Sequence, residues 1–239
     1  MIGPVVRLTL RALVLQKRTL LLAAVALLPV VMAFVYALAH PAGSNRHDFY
    51  SGLVQQLFVP TVASLVSLVF GVSAFGDERE DGTILYLVAT PQPRIELAGA
   101  KILAAWLASM ILLVPSLVIS GLLGLGSEAS ASLIGWPLLG VATASLAYCA
   151  VAAWLSLYTR RPVVIGVLYI LLWESSIATF AASAKKLSIS AYGRAFVAHV
   201  LPQSSPAVTS TGVAAVVLAV VVSVALWATA RGLSHRELP

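Results

Sequence analysis

"LLLAAVALLPVVMAFVYALA", residues 20–39, runs for 20 positions without a charge. At about 1.5 Å per residue, a helix of this length crosses a hydrocarbon layer of ~30 Å. The basic residues before it and Ala37-Leu38-Ala39 at its end resemble a secretory leader. Leader cores span only about 7–15 residues, however. The run is therefore expected to be an uncleaved first membrane span.

The rest of the chain repeats that chemistry. Of 239 residues, 60% are hydrophobic and 10% charged, with a mean hydropathy of +0.97. Soluble domains carry about 25% charge, so this chain has too little to cover a surface in water. Six apolar runs are long enough to cross, at approximately 20–39, 57–75, 102–125, 133–157, 163–182 and 213–230. No ten-residue alternation suggests a barrel, and within lipid each segment must satisfy its own backbone. The expected fold is an all-α integral membrane bundle of six transmembrane helices, a single domain over 1–239. The longer connections are a segment at 76–100 and one at 183–212.

Charge sets the expected orientation. With both termini cytoplasmic, eleven basic residues fall inside (Arg7, Arg11, Lys17, Arg18, Arg79, Arg94, Lys101, Arg160, Arg161, Arg231 and Arg236). Four fall outside: Arg46, Lys185, Lys186 and Arg194. That is the positive-inside bias. The net charge of +6 is accounted for by these span ends, and no nucleic-acid partner is expected. Ahead of the first span, Val5 to Leu15 is apolar, with Arg7, Arg11 and Arg18 at near-helical spacing. A helix lying in the inner interface and a plain topology signal both fit. The outer segment 183–212 mixes Leu187, Ile189, Tyr192, Phe196, Val197 and Leu201 with polar residues. Short helices on or dipping into the outer leaflet are expected there, ended by Pro202 and Pro206.

One dense charged patch interrupts the chain, "FGDEREDGTILYLVATPQPR" at residues 75–94. Asp77, Glu78, Arg79, Glu80 and Asp81 form an acidic elbow; Gly82 permits a sharp turn. Thr83 is suited to cap a short helix, Ile84 to Ala89, presenting Leu85, Tyr86 and Leu87. Pro91 ends that helix and Pro93 starts the next, running through Arg94 into the third span. A short apolar helix with charged flanks suits a groove on another protein. It equally fits a solvated loop whose charges only stop translocation.

Residues 77–103, "DEREDGTILYLVATPQPRIELAGAKIL", resemble the cytoplasmic loop of ABC-2 type transporter permeases. That family carries an acidic cluster, Gly-Thr, a Leu-rich short helix, Pro with Arg shortly after, and Gly-x-Lys entering span three. The matching positions are Glu78, Glu80, Gly82, Thr83, Leu85, Leu87, Pro91, Arg94, Gly99 and Lys101. The six-span layout is similar as well. The resemblance implies a type V exporter-like permease of a bacterial cytoplasmic membrane, paired with a second copy or a paralogue and with two P-loop ATPase subunits. ATP and Mg would be bound by those partners. The loop would be the coupling helix. Asp77, Glu78, Glu80 and Asp81 would face basic ATPase residues, with Leu85, Tyr86 and Leu87 as the apolar anchor. Only about 17 residues follow the first span, which argues against relatives with large outer domains. A weaker similarity, an Asp-Gly-Thr turn before a leucine-containing segment, links the loop to heme-exporter permeases.

No GxxxxGK[ST] occurs, so the chain is expected to hydrolyse no ATP itself and to have no catalytic residues or cofactor of its own. Gly121, Gly124 and Gly126 form no nucleotide fingerprint. Cys149 has no second cysteine, and packing is its expected role. Glu174 is the one charge inside an expected span, roughly 17 Å from its start. A charge at the bilayer centre costs at least about 2.5 kcal/mol. It is a candidate for the substrate path or a subunit interface, or for a local hydrogen bond. Pro29, Pro60, Pro115 and Pro137 fit hinges or tolerated kinks. His40, His47 and Asp48 share one loop, too loose a set for an expected metal site. The alternative function is a non-transporting anchor or regulator that recruits a cytoplasmic partner through the same loop. Lipids, heme, peptides and small drugs all fit the apolar walls.

Overall fold

The computed structural model describes residues 2–14, 16–39, 45–80, 93–159, 161–172, 188–201 and 209–235. Among these, helix dominates and no strand occurs. Helix α1 (Ile2–Val14) is amphipathic: Val6 and Leu10 are half-buried and Leu13 is buried, while Arg7, Leu8 and Arg11 are exposed. The chain then turns into α2 (Lys17–Ala39), and Thr19 Oγ1 donates to Leu13 O across the turn at 2.8 Å. Arg18 therefore lies on a different helix from Arg7 and Arg11, and the three do not share a face as the spacing suggested.

Span two is a longer rod than its apolar run. Helix α3 (Arg46–Gly52) continues through a π-helical stretch (Leu53–Ala63) into α4 (Ser64–Glu80). The expected start near 57 is corrected to Arg46. The hydropathy pattern missed this because Arg46, His47, Asp48, Gln55 and Gln56 are polar. Their helix is secured instead by specific contacts. The Asn45 side chain accepts from His47 N at 2.9 Å, His47 Nε2 pairs with a Glu128 carboxylate oxygen at 3.1 Å, and Phe49 stacks on Tyr36 at 3.7 Å. Pro60 sits within the wide turns, which suits a residue with no N–H to donate. Asp77 to Glu80 continue the helix directly from the span, and the turn expected at Gly82 lies outside the described residues.

Helix α5 (Arg94–Leu125) starts after Pro93, as read from the sequence. Gly126 then takes a left-handed φ of 56°, and any Cβ there would collide with the Arg46 guanidinium. Helix α6 (Ala131–Tyr158) is capped by Ser130, whose hydroxyl accepts from Leu133 N at 3.3 Å. Helix α7 (Pro162–Leu168) begins the fifth apolar run. Helices α8 (Ile189–Val197) and α9 (Thr211–His235) follow.

Five helices among the described residues are long and apolar enough to cross a membrane. The apolar helix Pro162–Leu172 is shorter, and the remainder of the fifth expected span lies outside the described residues. Burial ranks the spans. In the apolar 18-residue stretch of the Arg46–Asp77 rod 78% of residues are buried, against 22% in those of α2 and α9, so the rod is the axis and those two helices the perimeter. On α2 the buried stripe is Leu22, Ala26, Pro29 and Ala33, while Leu20, Leu27, Val31 and Leu38 are left for lipid.

Small residues set the central seam. A Cβ on Gly71 would lie 2.7 Å from Cys149 O and 2.8 Å from Ala152 Cβ, so α4 and α6 touch backbone to backbone. Cys149 Sγ lies 3.4 Å from Ser67 O and 3.9 Å from Ser109 Oγ, joining α4, α5 and α6. This contact agrees with the packing role expected for the cysteine.

Helix α8 is buried against protein. Ile189, Ala191, Gly193, Ala195, Phe196 and Val197 are all buried. A Cβ on Gly140 would lie 2.5 Å from Gly193 O, and one on Gly193 would lie 2.9 Å from Ala144 Cβ. Helix α8 is thus a wedge between α6 and the π-helical stretch. Apolar residues among polar ones suggested a helix on or dipping into the leaflet; Ser188, Ser190 and Gly193 are compact enough for it to pack inside the bundle.

Candidate functional site

Among the described residues, the charged candidates Asp77 and Arg94 lie at one end of the bundle. There the end of α4, the start of α5, the α1–α2 turn and the end of α9 meet. Residues 81–92 lie outside the described residues, including Asp81, Gly82, Thr83, Leu85, Tyr86, Leu87 and Pro91. Glu174 also lies outside them. Glu78 and Glu80 belong to the last turn of α4. What the structure places in detail is the frame from which the loop departs and to which it returns.

Asp77 anchors the departing side. Its carboxylate oxygen pairs with the Arg18 guanidinium at 2.5 Å and accepts from Gln16 Nε2 at 2.9 Å. Arg18 Nε in turn donates to Gln16 Oε1, closing a three-residue network. Two partners thus come from the turn between α1 and α2. The side chains of Arg18 and Asp77 are 40% and 24% exposed, where an isolated pair contributes about 0–1 kcal/mol. A double-mutant cycle of Arg18→Gln and Asp77→Asn, followed by thermal unfolding in detergent, is expected to give about 0.5–1 kcal/mol of coupling. Zero coupling would mean that the turn is not held to α4 by this pair.

Lys101 joins the two sides. It lies one and a half turns or more inside α5 and is 1% exposed. Its Nζ donates to Ala74 O at 2.9 Å and stands 4.9 Å from the centre of the Phe75 ring. Burying an ammonium is costly unless it is hydrogen-bonded, so these contacts fix α4 and α5 to each other just below the loop. Arg94 anchors the returning side by donating to Leu233 O at 3.3 Å, near the end of α9. A cation there also meets the negative end of the helix dipole.

Of the sequence-derived candidates, the structure brings Asp77 and Arg94 into this frame. It adds Gln16, Arg18 and Leu233, which sequence reasoning did not select. The available signal was the short polar break Gln16-Lys17-Arg18 between two apolar runs. Lys101 was visible as part of Gly-x-Lys, but its burial was not. At the opposite end, His47 faces Glu128, and no group of three metal-capable side chains occurs among the described residues. His40 lies outside them.

Fold and site together define a multi-pass helical membrane protein whose polar contacts converge on the two ends of one connecting loop. A family model described as ABC-2 family transporter protein matches residues 15–183, and the chain belongs to that family. The match runs from the α1–α2 turn through the fifth apolar run and includes the whole loop and its frame except Leu233 on α9. No curated protein matches the sequence. Family membership makes the chain a permease of ABC transporter type and associates it, in general terms, with ATPase partners.

Proposed function

We propose that the chain is the permease subunit of an ATP-driven exporter in a bacterial cytoplasmic membrane. A separate P-loop ATPase hydrolyses ATP with Mg, and the loop around residues 81–92 is the coupling helix that seats in a cleft of that ATPase. The permease works as a dimer, with a second copy or a paralogue. The chain performs no bond chemistry itself; Asp77, Glu78, Glu80 and Asp81 meet basic residues of the ATPase, and Leu85, Tyr86 and Leu87 enter its cleft.

The observation that carries this reading is the fastening of both loop ends. A push on the loop reaches α1 and α2 through Asp77–Arg18 and α9 through Arg94–Leu233. A merely solvated loop would need neither tie. The path of the chain supports six crossings. Helix α6 ends near Gly232, where Tyr158 packs, whereas α9 starts beside α8 with Thr211 Oγ1 donating to Ala195 O at 3.3 Å. The chain therefore passes from one end of the bundle to the other between Tyr158 and Thr211. Basic residues concentrated at the loop end support a cytoplasmic assignment for it.

The test is a mild-detergent pull-down of the tagged protein from its native host, with partners identified by mass spectrometry. Wild type is expected to retain a P-loop ATPase, and Glu78→Lys with Glu80→Lys is expected to lose it by tenfold or more, about 1.4 kcal/mol per decade. An ATPase retained equally by both would remove the acids from docking. No ATPase with either would favour the anchor or regulator. Substrate-dependent stimulation of the ATPase rate then separates a permease from a mere recruiter.

A further inference from the structure

We propose that the seam between α6 and α9, at the loop end of the bundle, binds the headgroup of an anionic phospholipid. Four features meet there. Tyr158 is 51% exposed, yet its hydroxyl lies against Gly232, where a Cβ would come within 3.1 Å of it. Arg231, the neighbour of Gly232, is exposed and stacks its guanidinium over the Trp227 ring, 4.2 Å from the ring centre. Trp227 itself is 52% exposed. Trp154 packs beside Tyr158 with ring centres 5.4 Å apart.

Helix geometry puts Arg231 at the rim of the seam. Successive residues are separated by about 100°, so with Gly232 turned to Tyr158, Arg231 stands one step round toward lipid. The buried residues of α9, among them Ala225, Thr229 and Leu233, lie on the other side. An aromatic shelf with an arginine above it has the polarity of a lipid: apolar below for the acyl chains, cationic above for the phosphate. A guanidinium also binds phosphate through paired N–H donors. No acid opposes the charge from either element, because neither 131–172 nor 211–235 contains Asp or Glu. Arg94, on α5, bonds Leu233 O on the buried side of α9. The site depends only on the chain being a membrane protein and stands apart from the ATPase reading.

The experiment uses the full chain in phosphatidylcholine nanodiscs doped with brominated phosphatidylglycerol or brominated phosphatidylcholine, reading quenching of tryptophan fluorescence. Wild type is expected to favour the anionic lipid, and Arg231→Gln is expected to lower that preference by about fivefold, the effect of one arginine at the surface. Arg231→Lys is expected to keep part of it. Arg7→Gln removes an equal charge from exposed α1 and is expected to leave the preference nearly intact. Equal losses in Arg7→Gln and Arg231→Gln would overturn the site in favour of diffuse surface charge. No preference in wild type would overturn it outright. Full competition by glycerol phosphate or inorganic phosphate would show a free-anion site in place of a lipid site.

Discussion

Gly71→Leu is expected to abolish the folded protein, read as loss of the monodisperse peak after extraction and size-exclusion chromatography. The side chain would enter a space where Cys149 O, Ala152 Cβ and Cys149 Cα stand 2.7, 2.8 and 2.9 Å from the first added carbon. Two of those atoms are backbone of α6, so relief requires moving a whole helix. Overpacking with extra methylenes ordinarily costs about 1–3 kcal/mol, and a displaced seam in the most buried part of the bundle should exceed that range. Gly71→Ala should lower the melting temperature without eliminating the fold. Gly135 supplies the contrast, because nothing lies within 4 Å of a Cβ added there. Gly135→Ala is expected to stabilise by up to about 1 kcal/mol through helix propensity alone. If Gly71→Leu folds normally, α4 and α6 are not in backbone contact.

The second large effect concerns Lys101, and it separates stability from coupling. Lys101→Met removes the bond to Ala74 O and the cation beside Phe75 while keeping an unbranched apolar stem. Replacing a buried charge with an apolar side chain is often close to neutral for stability. The melting temperature should therefore change little. The angle between α4 and α5 beneath the loop, however, loses the tie that Lys101 makes to Ala74 O. On the proposed reading, affinity for the ATPase should fall by about tenfold or more, at about 1.4 kcal/mol per decade. Unchanged affinity with unchanged stability would mean that the loop sets its own geometry. Lys101→Glu is expected to fail to fold, because an acid would face the Ala74 carbonyl without the partner it needs.

Much of the bundle was legible in the sequence because the transfer of apolar side chains into lipid is a local, additive property. The runs at 20–39, 102–125, 133–157 and 213–230 became helices, with a full turn or more added only at the start of α5 and the end of α9. Pro93 marked the start of α5 because its fixed φ suits a first turn and it has no N–H to leave unsatisfied. The polar first turns of span two were hidden for the converse reason. His47 and Phe49 are helical there because of what they meet on other segments, Glu128 and Tyr36. The same holds for α8, whose burial depends on Gly140 and Gly193 lying face to face. At the site, local chemistry identified Asp77 and Arg94 as notable charges, but not their partners. Gln16 and Asp77 are 61 positions apart, and no local pattern specifies such a pairing. The apolar anchor Leu85, Tyr86 and Leu87 remains a matter for the docking experiment.

The wedge formed by α8 has a consequence for how the protein is made. Ribosomes deliver residues in order, at about 5–20 per second. The walls of the slot, α6 and the π-helical stretch, are complete long before residues 188–201 emerge. Until those residues arrive, Gly140 and Ala144 line an unfilled gap in a bundle already inserted in lipid. Final closure of the core is therefore a late event in synthesis, and a chain halted before Ile189 would have the walls of the slot but neither the wedge nor α9.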